Sequence, residues 1–126
     1  MSHYDLTNIK SEFYFSVMEW HKILELAQKY GWNPKGTSSN RIMKSFAGNW
    51  GNWDGNYFSF DNQLVDEDDA RNLGEALKKA LSDIPNVRPV KTLDKMSLLE
   101  IWSGMKFKRH LRKFIKFCEE GIFIIH

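Results

Sequence analysis

Three stretches of this chain repeat apolar residues at three- and four-residue spacing, and each is cut off by glycine or proline. That punctuation leaves few folds open. In the first stretch Trp20, Ile23, Leu24, Ala27 and Tyr30 make one helical face. Ser16 and Glu19 stand before it at the S-x-x-E spacing, in which hydroxyl and carboxylate each satisfy a backbone N–H at a helix start. Phe15 and Trp20 occupy the two positions of a hydrophobic staple. Gly31 suits the left-handed residue that closes a helix, and Pro34 prevents its resumption. The spacing predicts a helix over 16–30.

The second stretch carries Ala70, Leu73, Leu77, Ala80, Leu81 and Ile84. Asp66 caps its start, while Glu67, Asp68 and Asp69 face the positive end of the helix dipole. Pro85 and Pro89 end it and impose an extended connector. A shorter helix is expected around Leu98, Leu99 and Trp102, broken near Gly104. The last helix is expected over 107–120, with Leu111, Phe114, Ile115 and Cys118 inward and Gly121 as its cap.

Residues 31–56 are rich in Gly, Asn, Ser and Pro, the chemistry of turns. Within them 41–46 suits one short helical turn or strand. The triplet Gly-Asn-aromatic, ending at Trp50, Trp53 and Tyr57, is too short an echo for a solenoid repeat. Strands are expected near 13–15, 57–60 and 122–125, with Asp61-Asn62 as a tight turn. The first two strands are the candidate partners of the third. The fold class is therefore α+β and mainly helical, with three to four helices packed on a small antiparallel sheet in one domain, 1–126.

A chain of 126 residues buries enough surface for one core without staples. A net charge of +2 gives the whole molecule no strong preference for nucleic acid or acidic membranes. One cysteine, Cys118, excludes an internal disulfide and a multi-Cys metal site. The opening MSHYDLTNIKSEF has no apolar core of a signal peptide, and no apolar run approaches the ~20 residues of a bilayer span. A cytoplasmic location without membrane contact is the expectation.

Catalytic patterns are missing: no H-E-x-x-H, P-loop, G-x-G-x-x-G or G-x-S-x-G occurs. His3 and His126 lie at the ends, where chains fray, and His21 and His110 fall on separate helices among polar residues. Cys118 and His110, eight residues apart on one helix, lie about 12 Å apart along its axis. Cys118 reads instead as a small core hydrophobe. Helix capping explains the acids at 66–69 without a metal, although Asp61 stands near them, and Asp54 and Asn56 fit turn chemistry. No catalytic residue, metal ligand or cofactor is assigned. An enzyme would need a pocket gathering dispersed groups such as Asp54, Asp66 and His21.

Two features suit binding. Lys106, Arg109, Lys113 and Lys116 follow i, i+3, i+7, i+10 spacing and share one helical face, flanked by Lys108 and Arg112. This stripe over 106–116 can meet an acidic protein surface or phosphates. The bland alternative is a solvated helix face with cations favoured toward its C-terminal end. Trp50 and Trp53, beside Asn and Asp in a Gly-rich loop, can stack on a ligand or fold back to close the core.

The pieces F-x-F-S, E-W-x-x-I-L and A-x-x-Y-G-W-x-P-x-G-T, found here in residues 13–24 and 27–37, resemble a group of small uncharacterised bacterial proteins. Gly55-Asn56-Tyr57, Asn62-Gln63 and Asp69-Ala70 are similar to the group's middle. Leu111-Arg112-Lys113-Phe114-Ile115, Phe117-Cys118 and Gly121 are similar to its end. The resemblance spans most of the chain and implies one domain, with no catalytic residue to carry over.

The expected function is a non-enzymatic bacterial interaction protein that binds another protein, by analogy with immunity proteins that neutralise a toxin. Its partner surface is placed at Trp50, Trp53, Lys106, Arg109, Arg112, Lys113 and Lys116. The rivals are a nucleic-acid-binding accessory protein using 106–116, and a small enzyme with a dispersed site.

Overall fold

The computed structural model describes residues 3–39, 53–59 and 62–126. The expectations for 41–46, Trp50 and Asp61 lie outside the described residues.

The chain opens with a hairpin of β1, His3–Thr7, and β2, Glu12–Ser16. Its turn is held by Asn8 Oδ1, which accepts from the N–H groups of Lys10 at 2.8 Å and Ser11 at 2.7 Å. β2 runs directly into α1, Val17–Lys29, because Ser16 ends the strand and caps the helix. Both halves of the capping box form: Glu19 N–H donates to Ser16 Oγ at 3.1 Å, and Ser16 N–H donates to Glu19 Oε1 at 2.9 Å. The staple is present too, with the Phe15 and Trp20 rings stacked at 5.8 Å. Gly31 adopts φ 100° and turns the chain so that Trp32 N–H donates to the Ala27 carbonyl at 3.0 Å.

There follow β3, Ser38–Ser39; β4, Gln63–Val65; and α2, Glu67–Leu81, whose cap Asp66 accepts from Asp69 N–H at 2.8 Å. A 3-10 turn at Leu93–Lys95 leads to the short α3, Leu98–Ile101, which has its own capping box from Ser97 and Glu100. α4 spans Met105–Glu119 and β5 spans Phe123–Ile125.

The strands form one antiparallel sheet in the order β2-β1-β5-β4-β3. An α+β fold with four helices among the described residues matches the expectation, but the sheet has five strands rather than three, so "mainly helical" fits only loosely. The strand expected at 57–60 is corrected. Tyr57 and Phe58 form a turn, and the strand lies at β4. The pairing of the terminal strand is corrected as well. β5 sits between β1 and β4, and among the described residues β2 pairs with β1 alone. The unforeseen strands are β3, of two residues, and β1, where alternate Tyr4 and Leu6 are buried against the helices.

The helices cover one face of this sheet. Leu6, Phe15, Trp20, Leu77, Trp102, Phe114 and Phe123 meet there in one continuous core, all fully buried. Each such side chain contributes about 1.5–3 kcal/mol relative to exposure. α2 and α4 are in tight contact at Gly74, where an added Cβ would lie 3.0 Å from the Cys118 Cβ. That approach is why a helix-weakening glycine is useful within α2.

Candidate functional site

Four residues of the expected basic stripe, with Arg112 beside them, emerge on the solvent face of α4. Lys106, Arg109, Arg112, Lys113 and Lys116 are all exposed. Among the described residues none of the five forms an ion pair. Some cations elsewhere are paired, as in Lys35–Asp66, Lys78–Glu119 and Lys91–Glu100.

Lys108 is a correction. It is only 7% exposed and turns to the opposite side, where its ammonium donates to the Ile84 carbonyl at 3.0 Å and to Asn86 Oδ1 at 2.8 Å. It ties α4 to the chain leaving α2 and is not part of the surface stripe.

The first turn of α4 is charged against its macrodipole. α2 follows the dipole, with Glu67, Asp68 and Asp69 in its first turn and Lys78 and Lys79 in its last. α4 has no acid in its first turn, no side-chain cap at Gly104, and only Lys116 as a cation in its last turn. Lys106 lies in the first turn at the positive end, an arrangement that costs about 0.3–1 kcal/mol at an exposed site, while Arg109 lies just beyond that turn. Placement of cations toward the C-terminal end therefore accounts for Lys116 but not for Lys106. The positive end of the helix and these side chains add to one another.

This basic end lies beside β2. A surface cavity of about 430 Å³ is lined by Tyr14, Glu19, Lys106, Phe107, Arg109, His110 and Lys113. The His110 ring stacks on Phe13 at 4.9 Å and meets Phe15 edge-on at 5.2 Å. Burial among these rings lowers the His110 pKa, with Lys113 acting in the same direction and Glu19 against it.

The loop tryptophans part company. Trp50 lies outside the described residues. Trp53 is half-buried, with the Lys35 ammonium 4.8 Å from its ring centre, so it neither closes the core nor stands free.

Beneath that loop lies a polar network that the sequence reading missed. Asp69, 2% exposed, accepts from Trp32 Nε1 at 2.9 Å and from the Tyr57 hydroxyl at 2.5 Å. The Tyr57 oxygen also accepts from Gly36 N–H at 2.9 Å, and the Thr37 hydroxyl donates to Gln63 Oε1 at 2.6 Å. Trp20 Nε1 donates to the Tyr57 carbonyl at 2.7 Å, closing the network onto α1. Each polar atom here has a partner within the protein, so the arrangement fixes loops to helices. The available signal was a Trp, a Tyr and a Gly-Thr pair in turn-rich sequence, followed by four successive acids of which only one is buried.

The dispersed groups named for an enzyme are not brought together. Asp54 is exposed, Asp66 caps α2 and pairs with Lys35, and His21 stacks on Phe58 at 4.2 Å. Among the described residues none of the three lines one of the principal surface cavities. Among the described residues no group of three or more His, Cys, Asp or Glu side chains is arranged to hold a metal ion. His126 does not fray: one ring nitrogen lies 2.7 Å from Thr7 Oγ1 and the other 2.8 Å from Asn62 Oδ1. No helix of the described residues is long and apolar enough to cross a membrane.

Compared with known protein families, curated proteins and solved structures, the chain matches none.

Proposed function

We propose that this chain is a cytoplasmic, non-enzymatic protein-binding domain, immunity-like in kind, whose recognition surface is the basic face of α4. One observation carries this reading. Lys106, Arg109, Arg112, Lys113 and Lys116 are exposed and without ion pairs among the described residues, and the helix dipole opposes the placement of Lys106. Stability alone would favour acids at that end, so the cations are better explained by a negatively charged partner. Complementary charge of this kind steers encounter and selects partners more than it adds raw affinity. The reading is supported further by Asp66 and His21, which are already engaged in capping, pairing and stacking.

The test compares the parent chain with Arg109→Glu/Lys113→Glu as baits in a bacterial lysate. A protein held by the parent and released by the variant, with salt-dependent capture, is the expected result. Capture of nucleic acid alone, falling steeply with salt, would replace this reading by the nucleic-acid one. Equal capture by both baits would leave the stripe as solvated surface.

A further inference from the structure

Among the described residues the sheet has an open edge at β2, and its backbone polarity can be read from the next strand. Asp5 N–H donates to the His126 carbonyl at 3.3 Å, and His126 N–H donates to the Asp5 carbonyl at 2.7 Å. The polar groups of Asp5 thus face β5 and not β2. The residue opposite Asp5 in β2 is Tyr14. In an antiparallel ladder that makes a non-hydrogen-bonded pair, so the N–H and C=O of Tyr14 point outward from the edge. The two-residue period places those of Glu12 there too. The Asn8 N–H bond to the Ser11 carbonyl at 3.0 Å keeps the same phase through the hairpin.

Natural edges are commonly blunted by lysine, proline or bulges. β2 reads Glu-Phe-Tyr-Phe-Ser and carries neither lysine nor proline, and Tyr14 is 68% exposed. α4 runs beneath it, since Phe13 touches both His110 and Phe114, at 4.9 and 5.4 Å between ring centres. Lys106, Arg109 and Lys113 line the groove beside this edge. Glu19 shares the groove, but its carboxylate is held by Ser16 N–H.

We propose that β2 accepts an extended acidic segment of a partner protein as a sixth strand, its alternate carboxylates meeting Lys106, Arg109 and Lys113. The proposal rests on the protein-binding reading above and names the form of the partner. Side chains of an added strand alternate between the α4 side and the outer face. On the α4 side the cations select carboxylates. On the outer face Glu12 and Asp5, which flank Tyr14, repel them. The segment recognised is therefore acidic at every second position and neutral between. Main-chain bonds to Glu12 and Tyr14 supply a sequence-independent part of the affinity, as in other cases of strand addition.

The test is an NMR titration of the full chain, at low salt, with a peptide of about eight residues alternating glutamate and threonine, a common strand length. The expected result is a shift of the Glu12 and Tyr14 amide signals, with hydrogen exchange at Tyr14 slowed about tenfold when the peptide is in excess. The same peptide N-methylated at alternate residues should bind about tenfold more weakly, and Arg109→Glu/Lys113→Glu should weaken the parent peptide to a similar degree. Equal binding of both peptides with Tyr14 exchange unchanged would overturn strand addition and leave charge-based protein binding standing. No binding of the unmodified peptide would overturn it as well. A thymidine octanucleotide that shifts these amides at lower concentration than the peptide would overturn it in favour of nucleic acid. The protein-binding reading fails separately, when lysate capture is the same for parent and charge-reversed chains.

Discussion

The Tyr57 hydroxyl donates to Asp69 Oδ2 at 2.5 Å while accepting the Gly36 N–H, so one side chain fastens two loop segments to the first turn of α2. Burial raises the Tyr57 pKa well above the usual phenol range, and the bond to Asp69 raises it further. Tyr57→Phe should cost about 1–3 kcal/mol, because Asp69 and Gly36 each lose a buried partner. Asp69→Ala should cost more, since Trp32 Nε1 and the Tyr57 hydroxyl lose theirs together. Urea midpoints measure both; equal midpoints for parent and Tyr57→Phe would remove the network from any account of stability.

Two buried tryptophans differ in one atom's surroundings. Trp20 Nε1 donates to the Tyr57 carbonyl, whereas Trp102 Nε1 is buried without a hydrogen-bond partner among the described residues. Replacement by Phe costs packing at either site. At Trp20 it also orphans a carbonyl, and at Trp102 it removes an unsatisfied donor. Trp102→Phe should therefore be the milder change by about 1–2 kcal/mol. Thermal melts of the two variants side by side decide this, and a milder Trp20→Phe would contradict it.

His110 gives the fold a pH dependence of known sign. Its folded pKa is lowered by burial, so on acidification the unfolded chain takes up the proton first. Stability is then full above the ordinary imidazole pKa of about 6.5 and falls as pH drops from there toward the folded value. His110→Phe keeps a ring against Phe13 and should flatten that part of the profile. Denaturation midpoints between about pH 5 and 8 read the difference; an unflattened slope assigns it to another group.

β5 separates the β1–β2 hairpin from the β3–β4 pair. Phe123, Ile124 and Ile125 are all buried, and each is worth about 1.5–3 kcal/mol. Deleting residues 122–126 removes a large share of a typical margin of about 5–15 kcal/mol. The expected outcome is loss of cooperative melting by circular dichroism, and a transition near that of the parent would count against the central position of β5.

The helices were legible because their ends are written in local chemistry. Ser16 with Glu19, and Asp66 with the acids behind it, mark starts that need no tertiary information. The strands were harder for a physical reason. Tyr57 and Phe58 have strand-like composition, yet Tyr57 is committed to Asp69 and its neighbour Phe58 offers its carbonyl to the Tyr4 hydroxyl at 2.8 Å. β4 is three residues long, all buried, with Gln63 among them, so it shows no alternation to read. β1 does alternate, but across five residues beside the chain start the pattern is faint. At the candidate site, spacing placed Lys106, Arg109, Lys113 and Lys116 on one face correctly. Only the packing of α2 against α4 draws Lys108 away to Ile84 and Asn86.

The close approach of Gly74 to Cys118 also gives the chain an internal clock. Cys118 is its one thiol, fully buried, and burial raises its pKa well above the ordinary range. An alkylating reagent needs an exposed thiolate, so it can react only in the moments when α2 and α4 part. With reclosing faster than labelling, the rate of modification measures the fraction of molecules open at that seam, under native conditions and without denaturant.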